Sequence, residues 1–284
     1  MDAIRKILLP TDFSANAQNA FRHGLMLADR MGAEIELLHV IYPEYEPLDL
    51  PVMAAQATRE KAEAARVVMK EFMELGLAQM HTTGQIKSVP PIHADLEVGT
   101  PASLISEVAR RDEADLIVMG TRGSHNTLER FWGSTATAVL EHAPCHVMVV
   151  PEHAPYQKIE QVGYATDLAE ADPYHIWEAG KILDAFSPVI RCAHVNLEQS
   201  VEHALDLNGL GHFFDNHAPA LQITFHTLQG GQVAPALDQF IDQFGLDLMV
   251  MYAPGHSWWQ RLFHHSETKA MALRAQVPVL FLKH

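Results

Sequence analysis

Residues 115–123 read Asp-Leu-Ile-Val-Met-Gly-Thr-Arg-Gly, and after nine more residues the chain continues with Gly133-Ser134. The apolar part, Leu116–Met119, has the length of a buried strand, and the residues from Ser134 onward predict a helix. Glycines let the main chain approach an anion closely, and the first N–H groups of a helix can bind one. The stretch therefore predicts a strand, a phosphate-binding loop and a helix. It is not a Walker loop, because no Gly-Lys-Ser/Thr is present.

The chain carries an internal repeat. Three landmarks of the first half return in the second: Thr11-Asp12 as Thr166-Asp167, His39-Val40 as His194-Val195, and Asp115–Met119 as Asp247–Met251. The first two return after 155 residues and the third after 132, so the second copy is about 23 residues shorter in its middle. Fixed offsets of this kind indicate a duplication. We predict one domain at residues 1–152 and a shorter one at 156–284.

Strand-like and helix-like segments alternate in each half. In the first half, five strands are predicted near residues 4–9, 34–40, 93–98, 115–119 and 146–150. Ser14 is placed to cap one helix, Thr100-Pro101 to open another, and residues 58–75 predict a third after a proline-rich loop at 42–57. Alternation implies parallel strands joined by right-handed crossovers. The predicted fold class is α/β, with two tandem doubly wound five-stranded parallel-sheet (Rossmann-like) domains.

Ligands of such sheets bind beyond the C-terminal strand ends, where the strand order reverses. The turns after Thr11-Asp12, Val40 and Met119 are therefore the expected ligand edge. No nucleophile, base and acid are spaced as in a hydrolytic triad, so we predict no catalytic residues. His39 and His194 are interpreted as hydrogen-bonded structural residues, and the other histidines match no metal-ligand spacing.

The pattern Gly-x2-Gly-x9-Gly-Ser/Thr after a strand resembles the ATP-binding signature of the universal stress protein family. Three further stretches are similar to that family: Pro10-Thr11-Asp12 at the first strand, Glu97-Val98-Gly99, and the Val-Met-Val-Val strand at 147–150. With the second copy included, the resemblance covers nearly the whole chain.

The resemblance implies a cytoplasmic stress-response protein that binds an adenine nucleotide (ATP, ADP or AMP), with or without Mg²⁺, as a regulatory or stabilising ligand. The matching positions fall into three groups: Pro10, Thr11, Asp12 and the Val40 backbone around adenosine; Met119 and Gly120 beside the ribose; and Gly123, Gly133, Ser134 and Thr135 around the phosphates, with Arg122 as a nearby charge. Two structural alternatives remain. Asp12 can serve only to stabilise its turn, and the glycine loop can be an ordinary strand–helix connection.

The second copy departs from the signature at key positions. Tyr252 replaces Gly120, Pro254 replaces Arg122 and His265 replaces Gly133, whereas only Gly255 and Ser266 are retained. We therefore predict that the second domain does not bind ATP in the family manner and that Asp167 is structural. An aromatic cluster in this loop is interpreted as covering the vacated cleft, or alternatively as a partner surface: Trp258, Trp259 and Phe263.

Composition narrows the function further. The formal net charge is −15, and an acidic chain lacks the basic stripe that nucleic-acid binding requires. No apolar run is long enough to cross a membrane, and the N-terminus lacks a signal peptide, so we expect a cytoplasmic protein without a membrane partner. Two other functions stay open: a slow ATPase that uses the same loop, and an interaction module without nucleotide.

The family resemblance also bears on assembly. Family members pair through their last strands, so Val147–Val150 and Val279–Leu282 are expected to pair antiparallel and form an intrachain pseudo-dimer. A homodimer of chains is a further expectation from the resemblance.

Overall fold

The computed structural model describes residues 4–43, 51–121, 133–156, 158–196, 205–230, 232–253 and 277–283. These residues form two compact units, one ending at Tyr156 and the other comprising the described residues that follow. None of the helices in these ranges combines the length and the apolar character needed to cross a membrane.

The first unit alternates strands and helices around one parallel sheet. Its elements are β1 (Lys6–Thr11), α1 (Ala15–Met31), β2 (Glu34–Ile41), α2 (Pro51–Thr82), β3 (Ile92–Val98), α3 (Pro101–Arg111), β4 (Leu116–Gly120), α4 (Ser134–His142) and β5 (His146–Val150). The strand order is β3-β2-β1-β4-β5, and every pair is parallel. The chain therefore reverses its direction of travel across the sheet beside β1 and β4.

The second unit repeats this topology. Its elements are β6 (Gln161–Ala165), α5 (Asp172–Ile182), a 3₁₀ turn (Asp184–Phe186), β7 (Val189–Asn196), α6 (Leu207–His217), β8 (Gln222–Gln229), α7 (Val233–Phe244), β9 (Leu248–Tyr252) and β10 (Val279–Leu282). The order β10-β9-β6-β7-β8, again wholly parallel, matches the first unit strand for strand. The predicted α/β class with two doubly wound five-stranded sheets is confirmed.

Central strands of the first unit are buried on both faces, as expected when helices cover both sides of a parallel sheet. Leu8 and Leu9 of β1 are at most 1% exposed. Phe21 of α1 lies under α2, where its ring centroid is 5.3 Å from that of Phe72. Gly76 allows this approach, because a Cβ at that position would lie 2.6 Å from the Phe21 ring. The core thus fixes α1 against the sheet.

Two element boundaries differ from the sequence prediction. The expected loop at 42–57 is wrong in its second half, because α2 already begins at Pro51, and the helix runs to Thr82 instead of ending near residue 75. Proline is compatible with the first helical position, where its missing N–H has no partner to lose. The Ser14 cap is confirmed, since its hydroxyl accepts a hydrogen bond from the Ala17 N–H at 3.1 Å.

After β5 the chain lies along α1. The Asn19 side-chain amide donates hydrogen bonds to the carbonyls of Pro151 (2.9 Å) and Ala154 (3.0 Å). The neighbouring His23 is 3% exposed and also hydrogen-bonds the Ala154 backbone. Burial lowers the pKa of His23 to about 4, and the nearby charge of Arg22 lowers it further, whereas the bond to Ala154 opposes the shift. His23 is therefore neutral at pH 7.

A titration of stability follows from His23. Because its folded-state pKa lies below the unfolded value of about 6.5, the folded chain binds this proton less readily, and the free energy of unfolding falls as pH drops from about 6.5 towards 4. We expect a loss of about 2 to 3 kcal/mol between pH 7 and 4.5 from this group. Urea unfolding at both pH values, with His23→Gln as the non-titrating control, measures it. Equal losses in both proteins would contradict the assignment.

Candidate functional site

The turn after β1 is held by its own side chains. The Thr11 hydroxyl accepts a hydrogen bond from the Phe13 N–H (3.0 Å), and an Asp12 carboxylate oxygen accepts one from the Ser14 N–H (3.1 Å). Phe13 has a φ of 63°, which bulky residues rarely adopt. Its ring stacks on His39 with 4.3 Å between centroids. Asp12 therefore stabilises the turn, and it is exposed at the C-terminal edge of β1.

The end of β2 is tied to this turn. The His39 imidazole donates a hydrogen bond from Nδ1 to the Thr11 carbonyl at 2.8 Å, which confirms the structural role predicted for this residue. Thr11 pairs with His39 in the sheet, so Val40 lies one residue beyond the last pairing of β1 with β2. Val40 thus lies at the C-terminal end of β2, and its contact with a ligand stays a prediction.

The end of β4 lies next to the end of β1. β1 and β4 are parallel, and continuing their register sets Pro10 beside Met119 and Thr11 beside Gly120. Met119 is buried and Gly120 half-buried. A Cβ at Gly120 would lie 2.9 Å from Cγ of Asn16 on α1. Glycine is needed here for space, because the buried Asn16 amide already occupies that side.

The N-terminus of α4 lies beside the end of β4. Gly133 is the N-cap residue, with φ −60° and ψ 154°, and its N–H donates to the Thr121 carbonyl at 2.7 Å. Ser134 is exposed and Thr135 half-buried in the first turn. The first N–H groups of a helix have no acceptor within it and form the positive end of its dipole. This end of α4 can therefore bind an anion.

One hydrogen bond thus brings the first and last glycines of the motif, Gly120 and Gly133, to the same place. Thr121 follows Gly120 directly, and its carbonyl holds Gly133, although the loop between them is long. The remaining two predicted positions, Arg122 and Gly123, lie outside the described residues. Of the predicted residues that are described, those at the ends of β1, β2 and β4 and at the start of α4 share one sheet edge.

Two buried residues at this edge were not predicted from the sequence. The Asn16 amide nitrogen donates to the Thr121 hydroxyl at 3.1 Å, and both residues are at most 8% exposed. One sequence signal could have drawn attention to α1. Asn16 and Asn19 lie three residues apart in the segment predicted as a helix, and asparagine has a low helix propensity, so both are candidates for specific side-chain hydrogen bonds.

The second unit keeps the turn of the first. The Thr166 hydroxyl accepts from the Leu168 N–H (2.9 Å), Leu168 has a φ of 59°, and Asp167 accepts from the Ala169 N–H (3.3 Å). His194 donates to the Thr166 carbonyl at 3.1 Å, as His39 does to Thr11. The hydrogen-bonded role predicted for His194 is confirmed, and Asp167 stabilises its turn as Asp12 does.

At the end of β9, however, side chains fill the place that Gly120 leaves open in the first unit. The Tyr252 ring stacks on His175 of α5, with 3.5 Å between centroids and 17° between planes. His175 Nδ1 lies 3.5 Å from an oxygen of Glu178, and Glu178 is fully buried. Burial raises the pKa of Tyr252, and the Glu178 charge adds to this.

A second buried carboxyl group supports the β6–α5 turn. Asp172 is 3% exposed and accepts hydrogen bonds from the Thr166 hydroxyl and from the Ala169 N–H (3.1 Å). Burial raises the pKa of Asp172, although the bond from Thr166 opposes the shift. The later loop of this copy lies outside the described residues, and with it the predicted positions Pro254, Gly255, Trp258, Trp259, Phe263, His265 and Ser266.

Metal and thiol chemistry find little support in the described part of the chain. Among those residues, no three His, Cys, Asp or Glu side chains are grouped to hold a metal ion. Cys192 is fully buried, and burial raises the pKa of its thiol, which makes it unreactive. Cys145 is only partly buried.

Comparison with known proteins matches this geometry to one family. Residues 3–151 and 196–283 match the model of the universal stress protein family. A universal stress protein of Staphylococcus epidermidis is 34% identical over 156 residues, which are 53% of this chain and 86% of that protein. Its Staphylococcus aureus counterpart from strain USA300 is 33% identical over 156 residues, again 53% and 86%.

Two solved structures share the fold over almost the whole chain. A universal stress protein from Archaeoglobus fulgidus has a TM-score of 0.74 and 19% identity, covering 99% of this chain and 97% of its own. One from Pseudomonas aeruginosa has a TM-score of 0.59 and 13% identity, covering 99% and 93%. With family matches in both halves of the sequence, the chain belongs to the universal stress protein family, whose members act in stress responses.

Proposed function

We propose that the first domain, residues 1–152, binds an adenine nucleotide as a regulatory or stabilising ligand. The observation that carries the proposal is the junction of Gly120 with Gly133 through the Thr121 carbonyl, at the edge where the strand order reverses. This junction ties the N-terminus of α4 to the end of β4, the strand that pairs with β1. A ligand with both a ribose and phosphates fits the two parts of that edge.

Each group at the edge has a part to play in such binding. The N–H groups of Ser134 and Thr135, with their hydroxyls, would hold phosphate oxygens at the start of α4. Gly120 leaves room beside β4 for the ribose, and Asp12, exposed at the end of β1, can accept hydrogen bonds from its hydroxyls. The main chain of Val40 would contact the adenine base. Mg²⁺ would accompany the phosphates and bind through them.

Bound nucleotide would raise the free energy of unfolding of the protein without any reaction being catalysed. A ligand that binds only the folded state stabilises it by RT ln(1 + [L]/Kd), about 2.7 kcal/mol at 100 times Kd. Rapid phosphoryl transfer also needs a positioned nucleophile and a cationic clamp. We therefore propose a ligand-responsive binding protein, and ATP, ADP and AMP are each compatible with the edge.

The direct test uses Gly133→Asp with Gly133→Asn as its matched control. Gly133 has ordinary extended backbone angles, so both side chains can cap α4 and both proteins should fold. Only aspartate adds a negative charge beside the phosphates. We expect Gly133→Asp to weaken ATP binding about tenfold more than Gly133→Asn does, as for a like charge at close range.

Calorimetric titration of the purified full chain, and chromatography of nucleotide released on denaturation, give the readouts. About one nucleotide per chain in the wild type, lost in Gly133→Asp, is the expected result. Two per chain would contradict the proposal that the second domain lacks a site of this kind. No nucleotide at millimolar ATP would favour the interaction module instead.

We propose that the second domain, residues 156–284, functions without a bound nucleotide. Tyr252 and His175 fill the place beside its Thr-Asp turn, which supports that proposal. The antiparallel pairing of Val147–Val150 with Val279–Leu282, the homodimer and the cytoplasmic location stay predictions.

A further inference from the structure

Three hydrogen bonds converge on Thr121 at the base of the glycine loop. Its N–H donates to the Val150 carbonyl of β5 (3.2 Å), and its carbonyl accepts from the Gly133 N–H (2.7 Å). Its hydroxyl accepts from the Asn16 amide (3.1 Å). The residue is 8% exposed. Thr121 is thus tied to the sheet, to the start of α4 and to α1 at once.

These bonds fix different parts of the same junction. The main-chain bond to Val150 continues the β4–β5 ladder, and the bond from Gly133 closes the loop. Only the Asn16 bond ties Thr121 to α1, the helix that begins at the Asp12 turn. Asn16 also abuts Gly120, where a Cβ would be 2.9 Å from its Cγ. The asparagine therefore links α1, which begins after the Asp12 turn, to the residue that holds the N-terminus of α4.

The second domain provides a comparison inside the same chain. Its Ala253 N–H donates to the Leu282 carbonyl at 3.0 Å, which reproduces the main-chain bond of Thr121 to Val150. At the sequence offsets of 132 and 155, Thr121 and Asn16 correspond to Ala253 and Ala171, whose side chains cannot form the bond. The side-chain bond is thus absent from the copy in which two of the three glycines are replaced, although the main-chain bond is kept. The fold does not require the side-chain bond.

We propose that Asn16 and Thr121 are positioning residues for the phosphate half of the nucleotide site. The inference rests on the proposed function, because it assigns the two residues a part in nucleotide binding. Asn16 holds Thr121, and Thr121 holds Gly133, so the N–H groups of α4 are set in place before the ligand arrives. A preorganised site loses less conformational entropy on binding. Neither residue needs to touch the nucleotide.

The test compares Thr121→Val with Thr121→Ser in the full chain. Valine keeps the shape and removes the hydroxyl, whereas serine keeps the hydroxyl. We expect Thr121→Val to weaken ATP binding about 5- to 10-fold, the scale of one buried hydrogen bond, and to leave adenosine binding within about twofold. Thr121→Ser should bind both ligands as the wild type does. Urea unfolding of each variant verifies that the proteins are folded.

A second variant tests whether the two residues act through the same bond. Asn16→Ala should also weaken ATP selectively, and the double variant should lose no more than about the larger single effect, because both changes break one interaction. Equal losses for ATP and adenosine, full additivity, or no loss at all would overturn the positioning role while leaving nucleotide binding intact. A wild type that binds neither ligand would overturn the proposed function itself, and this inference with it.

Discussion

Replacing Gly120 with tyrosine, the residue of the second domain at this place, is expected to remove nucleotide binding from the chain. A Cβ at Gly120 already lies 2.9 Å from the Asn16 side chain, which is held by Thr121. A phenol ring has no room on that side and must turn towards the edge where the ribose is proposed to lie. We expect ATP affinity to fall at least about 100-fold, close to 2.7 kcal/mol.

Smaller changes separate the causes of this loss. Gly120→Ala should weaken adenosine binding only modestly, because the Asn16 amide must shift by a few tenths of an ångström. Adding Asn16→Ala removes the contact and should restore adenosine binding towards the wild-type value. Calorimetric titration measures each protein. Nucleotide affinity that survives in Gly120→Tyr would show that the ligand does not bind beside β4.

Replacing His175 with alanine is expected to destabilise the second domain by about 3–5 kcal/mol, as when a buried ring is truncated to alanine. His175 is 3% exposed, stacks on Tyr252 and lies 3.5 Å from the fully buried Glu178 carboxylate. Its loss leaves a cavity and takes a polar neighbour from that carboxylate. Urea unfolding at pH 7 measures the change.

Two control variants separate the packing contribution of His175 from the contribution of its contact with Glu178. His175→Phe keeps an aromatic ring against Tyr252 but has no nitrogen for Glu178, so it should recover only the packing part. Glu178→Gln replaces the buried carboxyl group with an amide of similar shape, and His175→Phe should cost less in that background than in the wild type. If His175→Ala loses less than about 1 kcal/mol, the buried pair does not support the domain.

Most of the fold follows from local sequence patterns. The predicted strands lie within about two residues of the observed ones, because a buried parallel strand is a short apolar run that needs no distant information. β1 extends past its predicted end at residue 9 because Pro10 stays in the strand, paired with Leu38. Proline is normally absent from a central strand, because it has no N–H to donate. Here its neighbours in the chain, Leu9 and Thr11, both pair with β2 and keep Pro10 in the strand.

The glycine motif identifies only part of the candidate site. Glycine spacing predicts Gly120 and Gly133, whereas the bond between Asn16 and Thr121 joins residues 105 positions apart. The two asparagines of α1 draw attention to that helix, but no local pattern identifies Thr121 as the partner of Asn16. Only the folded chain brings them together, at the point where α1 crosses the end of β4.

The left-handed residue after each Thr-Asp pair, Phe13 with a φ of 63° and Leu168 with 59°, has a consequence for the history of the chain. Duplicated copies start identical, and each then keeps what selection maintains. The second copy has replaced two of its three loop glycines, yet both copies have this costly turn and the histidine that bonds to it. The Thr-Asp turn therefore outlasts the change in the loop, as expected of a feature that supports the architecture of each copy.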